Sequence, residues 1–504
     1  VSGNFSAWLA VNRGPLAIRF ASKRSAARFY AVAGEPFLAD GIDALREAFG
    51  SLSGRKVFSE DAGQMDRDRG DLLAKLGHPR IYCGGTVDRV LAAAKDKATP
   101  LPGQPLAALL AAHNVSASKA HRAAAMLVES EDLIWREATR RGNLVDVQAL
   151  TKERARHTRV LEAFARTGVE IRRESPWKRN GAAVNAARDA AQAAWLTAIG
   201  VRFDATSDAK WGEPSRCDSS GVSPESAVAW TAYDLAYQSL HRLSPLNQVH
   251  KSVGQDGRVH PLIKTNRAVT GRVAVSSPGL QNLPAKRQGT RHVVVPDPGF
   301  DFVSVDHSNA ELRVVARYID DPGFTARVTG GDLYQDIADV SGLSRGQQKW
   351  HTIAFMYAMR ERTLAKEIGA ERAAASHAAI RAVVPEITAF FEEMTARAAA
   401  GERFETLFGR PLPQLNGSSF ETRFELQTNL LVQGSARDAW GLATRRAVAA
   451  GLIPSIPLHD ELFVLSPKGH SEATVAMLME AMTVDLGHGV VLTGKPRVSH
   501  HHWV

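Results

Sequence analysis

The sequence predicts a multidomain α+β protein, on three observations. A chain of 504 residues, 44% of them hydrophobic, can fill roughly three separate cores. Two stretches, 302–306 and 456–465, read as short apolar strands that end on or enclose acids. Around them, tracts rich in Ala and Arg repeat apolar residues at helical spacing.

Taken in order, the segment to Trp135 mixes apolar runs (Ala7 to Val11, Leu16 to Phe20) with helical stretches such as Val87 to Ala94, and reads as a small α/β domain over 1–135. From Leu133 to about Gly200 the pattern is helical, interrupted by the basic residues Arg172, Arg173, Lys178 and Arg179. A charge run of this kind is usually a solvated face. Ser207 to Ser223, with Pro, Gly and Ser, reads as a linker before a helix over Pro224 to Leu243, and a polar, basic stretch around Lys264 then leads into the first acid-bearing strand. There is no fixed-period repeat.

Lys and Arg number 62 against 53 Asp and Glu, and the pI near 9.6 suits an anionic partner such as nucleic acid. Cys83 and Cys217 lie far apart without metal-ligand spacing, so neither a disulfide framework nor a zinc site is indicated. No apolar run approaches the roughly 18 residues of a membrane span, and no basic-then-apolar leader opens the sequence. A monomer in the reducing cytoplasm, away from membranes, is expected.

Phe302, Val303 and Val305 favour a buried strand that delivers Asp306 to its tip. Ser308 opens a helix with Leu312, Val315, Ala316 and Ile319 on one face, and Glu311 follows three residues after the Ser. Taken alone, this is a strand end and a capping box. A second helix, Ser344 to Met359, carries Arg345, Lys349, Ile353 and Tyr357 at four-residue intervals. Each interval drifts only about 40° around a helix, so the four share one stripe about 18 Å long that can hold a nucleotide lengthwise, cations on its phosphates. Taken alone, it is an amphipathic helix with scattered charge. Third, Ile456 to Leu458 and Leu462 to Leu465 flank His459, Asp460 and Glu461, a hairpin with acids at its tip. Asp306 and Asp460 together are the paired carboxylates that divalent-metal phosphoryl transfer needs.

These residues resemble the family A DNA polymerases. Asp306 to Arg313, Asp-His-Ser-Asn-Ala-Glu-Leu-Arg, resembles motif A; Arg345, Lys349 and Tyr357 resemble motif B; His459, Asp460 and Glu461 resemble motif C. Gly257 to Pro261, Thr270 to Arg272, Leu280 to Pro284, Thr406 to Arg410, and Asn429 with Gln433 and Gly434 match in order and spacing, so the resemblance runs from about Gly142 onward.

The resemblance implies a right-hand architecture: thumb 136–240, palm 241–324 and 426–504 with an antiparallel sheet, and helical fingers 325–425. It implies primer-template DNA and dNTPs as ligands and two Mg²⁺ ions, with Mn²⁺ able to substitute. Asp306, Asp460 and the carbonyl of His307 would hold the metals. Lys349 would be the proton donor to pyrophosphate, with Glu461 and His459 supporting the metal and the primer end. Arg345, Lys349, Ile353, Tyr357, Tyr334, Asn309 and Glu311 would contact the nucleotide, Glu311 against the sugar's 2′ position. Arg272, Gln281, Asn282, Asn429 and Gln433 would touch the duplex.

Departures from the family pattern are Thr352, Ile353, Ala354 and Ala358 for the usual Asn, Phe and two glycines, Tyr334 for a His, and Glu425 for an Arg. They bear on nucleotide affinity, speed and fidelity, and suggest a phage or plasmid enzyme, placed in the host cytoplasm. A family proofreading exonuclease carries Asp-x-Glu on its first strand, whereas here no acid precedes Glu35; Asp61, Asp66, Asp68, Asp71 and Asp88 come later. A vestigial exonuclease-like domain is expected. The rivals are a silent, DNA-binding relative, against which Asp306, Asp460 and Lys349 stand together, and a single-subunit RNA polymerase, against which Glu311 and Tyr357 stand. Gly489 to Lys495 has the spacing of a phosphate-binding loop, but Pro496 obstructs the helix that should follow, so it reads as strand and turn. His500 to His502 alternate faces on an extended chain and make a poor chelate.

Overall fold

The structure, a computed structural model, describes residues 16–20, 26–30, 37–40, 47–48, 57–59, 81–83, 119–169, 171, 192–201, 219, 221–265, 268–284, 290–357, 359–413 and 420–503. The chain divides into two compact units, one of 1–142, 262–276 and 298–500, the other of 143–261, 277–297 and 501–504.

The first unit begins with five short strands, β1 Leu16–Phe20, β2 Ala26–Tyr30, β3 Phe37–Asp40, β4 Val57–Ser59 and β5 Ile81–Cys83, in the order β3-β2-β1-β4-β5. β1 pairs antiparallel with β2 and parallel with β4, so the run Leu16 to Phe20 is a strand as its pattern predicts. The runs Ala7 to Val11 and Val87 to Ala94, and the acids from Glu35 and Asp61 to Asp88, lie outside the described residues. Helix α1, Lys119–Arg141, ends on Arg140 and Arg141, cations placed where the helix dipole favours them.

The second unit takes β6 Asn143–Leu144, α2 Val147–Ala165, α3 Ala227–Ser252 and β7 Arg258–Val259. Its core is aromatic: Phe164 and Trp195 meet edge to face at 5.4 Å, and Trp230 stacks on the buried Tyr233 at 5.7 Å. α3 runs nine residues beyond the Leu243 expected from sequence, through Pro245. Leu246 and Val249 are fully buried beyond the proline, and their packing outweighs the hydrogen bond that Pro245 cannot donate.

Back in the first unit, β8 Leu262–Lys264 and β9 Ala274–Ser276 form an antiparallel ribbon. β10 Phe300–His307 follows, then seven helices: α4 Ala310–Ile319, α5 Pro322–Gly330, α6 Leu333–Ser341, α7 Arg345–Met356, α8 Glu361–Ile368, α9 Ala370–Val383 and α10 Pro385–Ala399. The long α11, Phe420–Ala449, leads to β11 Ile453–Leu458 and β12 Glu461–Pro467. Last come α12 Ser471–Met482, β13 Val484–Gly487, β14 Val490–Leu492 and β15 Gly494–Ser499.

The sheet that matters here is four-stranded and antiparallel, in the order β11-β12-β10-β15. Phe302, Val303 and Val305 of β10 are buried, as are Leu462 to Leu465 of β12, which is why these runs pair rather than stay in solvent. β10 is therefore flanked on both sides by strands from far along the chain.

One helix start and one helix end correct the sequence reading. α4 begins at Ala310, and its N-cap is Asn309 in left-handed geometry, φ 52°. Ser308 makes no cap; its backbone N–H donates to the carbonyl of Thr493 at 2.9 Å. A sequence spacing of Ser and Glu that fits a capping box is satisfied here by other bonds, which leaves Glu311 for another partner. The box occurs instead at α7, where Ser344 caps the backbone N–H of Gln347 and Gln347 reaches back. α7 stops at Met356, three residues short of the expected Met359, with Tyr357 as its C-cap. Gly489 to Lys495 is β14, a turn and the start of β15, as Pro496 led one to expect.

Candidate active site

The register of the sheet assembles the acids. β10 and β12 align Asp306 opposite Glu461, and the turn between β11 and β12 holds His459, at φ 53°, and Asp460. The backbone N–H of His307 donates to the carbonyl of Asp460 at 3.3 Å and joins the two tips. Both carboxyls are driven above the ordinary carboxylate range: Asp306 by burial and then by the charge of Asp460, Asp460 by burial and then by Glu311. The positive charge of Lys349 on α7 opposes the rise at both.

Supports for this pair have no signal in the sequence. Ser304 donates to Glu461 at 2.7 Å from within the sheet. Arg497 of β15 lies 3.9 Å from Glu461 and lowers the proton affinity of Asp306. The ring of His307 is buried and bonds the carbonyl of Met482 at 2.7 Å, and burial lowers its pKa. Gly494 must lack a side chain, because a Cβ there would stand 2.3 Å from Val305 and 2.8 Å from the carbonyl oxygen of Asp306.

The four positions of the expected stripe lie on α7 and its C-cap. Arg345, Lys349, Ile353 and Tyr357 are exposed or half-buried, while Gln348, His351, Thr352, Ala354 and Met356 are buried on other faces. Tyr334 of α6 lies beneath the cations: the Lys349 ammonium is 5.5 Å and the Arg345 guanidinium 6.0 Å from its ring centre. Burial raises the Tyr334 phenol's pKa. Arg345 also pairs with the exposed Asp332 at 2.5 Å.

Glu311 joins α4 to α7. It accepts a short hydrogen bond from the hydroxyl of Tyr357, and Arg272 donates to the same oxygen at 2.7 Å. The pKa of Tyr357 is raised by burial and then by Glu311, and the side chain of Gln433 on α11 opposes the rise. Arg272 and Gln433, expected to face a duplex, are thus within this cluster. Asn429 is buried one turn before Gln433, and its side-chain nitrogen has no hydrogen-bond partner among the described residues. Asn309 is half-buried beside Glu311 in sequence. Gln281 and Asn282 lie on a short 3₁₀ turn, Leu280–Asn282, of the second unit.

Asp306 and Asp460 suit a hard divalent cation. Among the described residues no three His, Cys, Asp or Glu side chains gather to hold a metal, so the protein offers two carboxylates and nearby carbonyls. Mg²⁺ is usually bound in this manner, by one or two carboxylates, water and substrate phosphates. No helix among the described residues is long and apolar enough to cross a membrane.

The sequence matches the family model described as DNA polymerase family A over residues 229–501. Relatives include DNA polymerase I of Pseudomonas aeruginosa, 33% identical over 36% of this chain and 22% of that protein. The DNA polymerase of Mycobacterium phage L5 is 27% identical over 49% of this chain and 42% of its own length, and the thermostable DNA polymerase I of Thermus thermophilus 30% identical over 45% and 30%. The matched part is under half of each relative's length. Among solved structures, the polymerase domain of Pol1 from M. smegmatis, in complex with DNA primer-template and dNTP, superposes with a TM-score of 0.72 at 17% identity, covering 99% of this chain and 98% of that one.

Proposed function

The chain belongs to DNA polymerase family A, and on that premise we propose that it is a template-directed DNA polymerase that adds dNTPs to a primer 3′-hydroxyl without proofreading. One observation carries the reading: Asp306, on β10, and Asp460, in the turn between β11 and β12, are joined by the bond from the His307 N–H to the Asp460 carbonyl, while Glu311 of α4 is bonded to Tyr357 at the end of α7. Members of the family generally use divalent metal ions. Two Mg²⁺ ions bound by Asp306, Asp460 and the His307 carbonyl would activate the 3′-hydroxyl and stabilise the leaving pyrophosphate, with Mn²⁺ able to substitute.

The chain's own residues do the rest. Arg345 and Lys349 hold the triphosphate along α7, and Lys349 delivers a proton to the leaving pyrophosphate oxygen, where negative charge develops. Tyr334 keeps both cations aimed through its ring face. Glu311, fixed by Tyr357 and Arg272, fills the space that a ribose 2′-hydroxyl needs, and Ile353 packs against the incoming nucleotide. His459 and Glu461 support the primer end, and Asn429, Gln281 and Asn282 meet the duplex. In this reading α2 and α3 belong to a thumb, the sheet of β10 to β12 with β15 to a palm, and α5 to α10 to fingers, with residues 1–135 a vestigial exonuclease-like domain.

The experiment is primer extension with dNTPs, alongside the decay of an end-labelled mismatched primer. Wild type extends and does not shorten the primer. Asp306→Ala and Asp460→Ala bind primer-template but lose incorporation, because duplex binding rests on many phosphate contacts. Incorporation within about tenfold of wild type, roughly 1.4 kcal/mol of barrier, would remove the assignment of either carboxylate. Metal-dependent shortening that survives in Asp306→Ala would show that the chain proofreads.

A further inference from the structure

Arg410 stands outside every role assigned above, yet it is bonded to both segments that hold the sugar-contacting pair. Its guanidinium is buried. The Nε donates to Asp438 of α11 at 2.9 and 3.0 Å, and Nη2 donates to the carbonyls of Thr270 at 3.0 Å and Gly434 at 3.3 Å. Thr270 is two residues before Arg272, and Gly434 directly follows Gln433. Arg272 bonds Glu311 at 2.7 Å, and the side chain of Gln433 faces the Tyr357 hydroxyl and eases its ionisation. One buried cation therefore ties together the backbones from which both supports of the Glu311–Tyr357 bond extend.

The surrounding chain is built for this contact. Gly271 is at φ +86°, and a Cβ there would lie 2.8 Å from the Arg410 guanidinium; at Gly434 it would lie 3.1 Å away. Both glycines let the backbone close on Arg410. Asp438 is held in turn by the hydroxyl of Thr406 at 2.7 Å and by Arg437 at 3.3 Å, and Arg437 reaches Glu131 of α1 at 2.9 Å. The Glu131 carboxyl, fully buried, is pushed up by desolvation, which Arg437 opposes. Trp135, which donates to Glu131 at 3.3 Å, stacks on Trp440 of α11 at 5.7 Å.

We propose that Arg410 is a positioning residue for sugar selection, setting Arg272 and Gln433 so that Glu311 and Tyr357 stand where a 2′-hydroxyl would go. The proposal rests on the reading of Glu311 as the group that excludes ribose. The simpler alternative is a buried ion pair that only stabilises the fold, which would weaken dNTP and rNTP incorporation alike when broken. Lys at 410 keeps the charge but cannot bond Asp438 and two carbonyls in fixed directions. Ala at 271 keeps Arg410 and Asp438 unchanged in type but sets a methyl 2.8 Å from the guanidinium, at a φ of +86° that glycine adopts and alanine resists, and so parts the loop from Arg410.

The test compares kcat/KM for dNTP and rNTP incorporation, with thermal midpoints, in Glu311→Ala, Arg410→Lys, Gly271→Ala and the double variant Glu311→Ala with Arg410→Lys. Rejection of an added hydroxyl by crowding is on the order of a hundredfold. Glu311→Ala should remove most of that preference, and Arg410→Lys and Gly271→Ala should each lower it by about tenfold, mainly through rNTP KM. In the Glu311→Ala background, Arg410→Lys should leave the ratio unchanged, since residues acting through one group are not additive. If Glu311→Ala relaxes selection while Arg410→Lys and Gly271→Ala lower both rates equally, the positioning role is overturned and the gate stands. If Glu311→Ala leaves the ratio unchanged, the gate fails and the proposal fails with it.

Discussion

Ile353 stands where the family carries an aromatic residue, and its neighbours decide whether that reading of α7 is right. Phe355, the rival for the position, meets the ring of His377 edge to face at 5.2 Å and lies under the guanidinium of Arg381 at 6.0 Å. It is committed to α9, away from the Lys349 stripe. Ile353 offers no hydroxyl to replace a missing 3′-hydroxyl on an incoming dideoxynucleotide, so wild type should select dNTP strongly over ddNTP. A hydrogen bond is worth about 0.5–1.5 kcal/mol, so Ile353→Tyr should relax that selection by up to about tenfold while Phe355→Tyr leaves it in place. The reverse outcome in a competitive incorporation assay means that α7 is turned, and the roles of Arg345, Lys349 and Tyr357 turn with it. At this scale spacing and resemblance singled out Asp306, Asp460, Lys349, Glu311 and Tyr357, and the fold bonds His307, next to Asp306, to Asp460 and bonds Glu311 to Tyr357. Ser304 and Arg497 were not, and Arg410 was met only as the end of the matching run Thr406 to Arg410 with no role, because each acts through a partner distant in sequence, and an Arg or Ser alone carries no mark of its partner.

Whole elements were legible where apolar periodicity was unbroken, and misread where polar spacing imitated a rule. β10, β11 and β12 follow their apolar runs, whereas the Ser308–Glu311 spacing suggested a cap that Asn309 replaces. α3 outran its expected end because buried contacts beyond Pro245 are invisible in a local pattern. β15 was seen only as strand and turn, yet it pairs with β10 from Phe302 to His307 and brings Gly494 against the carbonyl of Asp306. Gly494→Ala therefore forces that pair apart. Overpacking of this kind costs about 1–3 kcal/mol, and here the displaced atom belongs to the strand that carries Asp306. The thermal midpoint should fall and incorporation should fall with it by at least about tenfold, as Asp306 shifts. A stable variant with full activity would show that β15 has no part in placing Asp306.

At the scale of the molecule, stability should depend on pH through histidines enclosed among the helices. His351 and His377 are buried, and burial, with Arg372 acting on one and Arg381 on the other, lowers both below the usual value of 6.5. Their folded pKa values lie below the unfolded one, so between the two the unfolded chain binds more protons and stability rises with pH. Thermal midpoints should fall as pH drops from about 7 to about 5.5, and His377→Gln should flatten that fall. A midpoint independent of pH over this range would mean that these rings already titrate normally in the fold. The division of the first unit into three separate stretches of chain was hidden from a reading that moved along the sequence. That division has a consequence during synthesis. Ser304 and its partner Glu461 are 157 residues apart, and β15 comes later still. At about 5–20 residues per second, β10 leaves the ribosome on the order of ten seconds before either neighbour exists. For that interval an apolar strand has both backbone edges open, which is the condition under which nascent chains recruit a holdase or pair with one another.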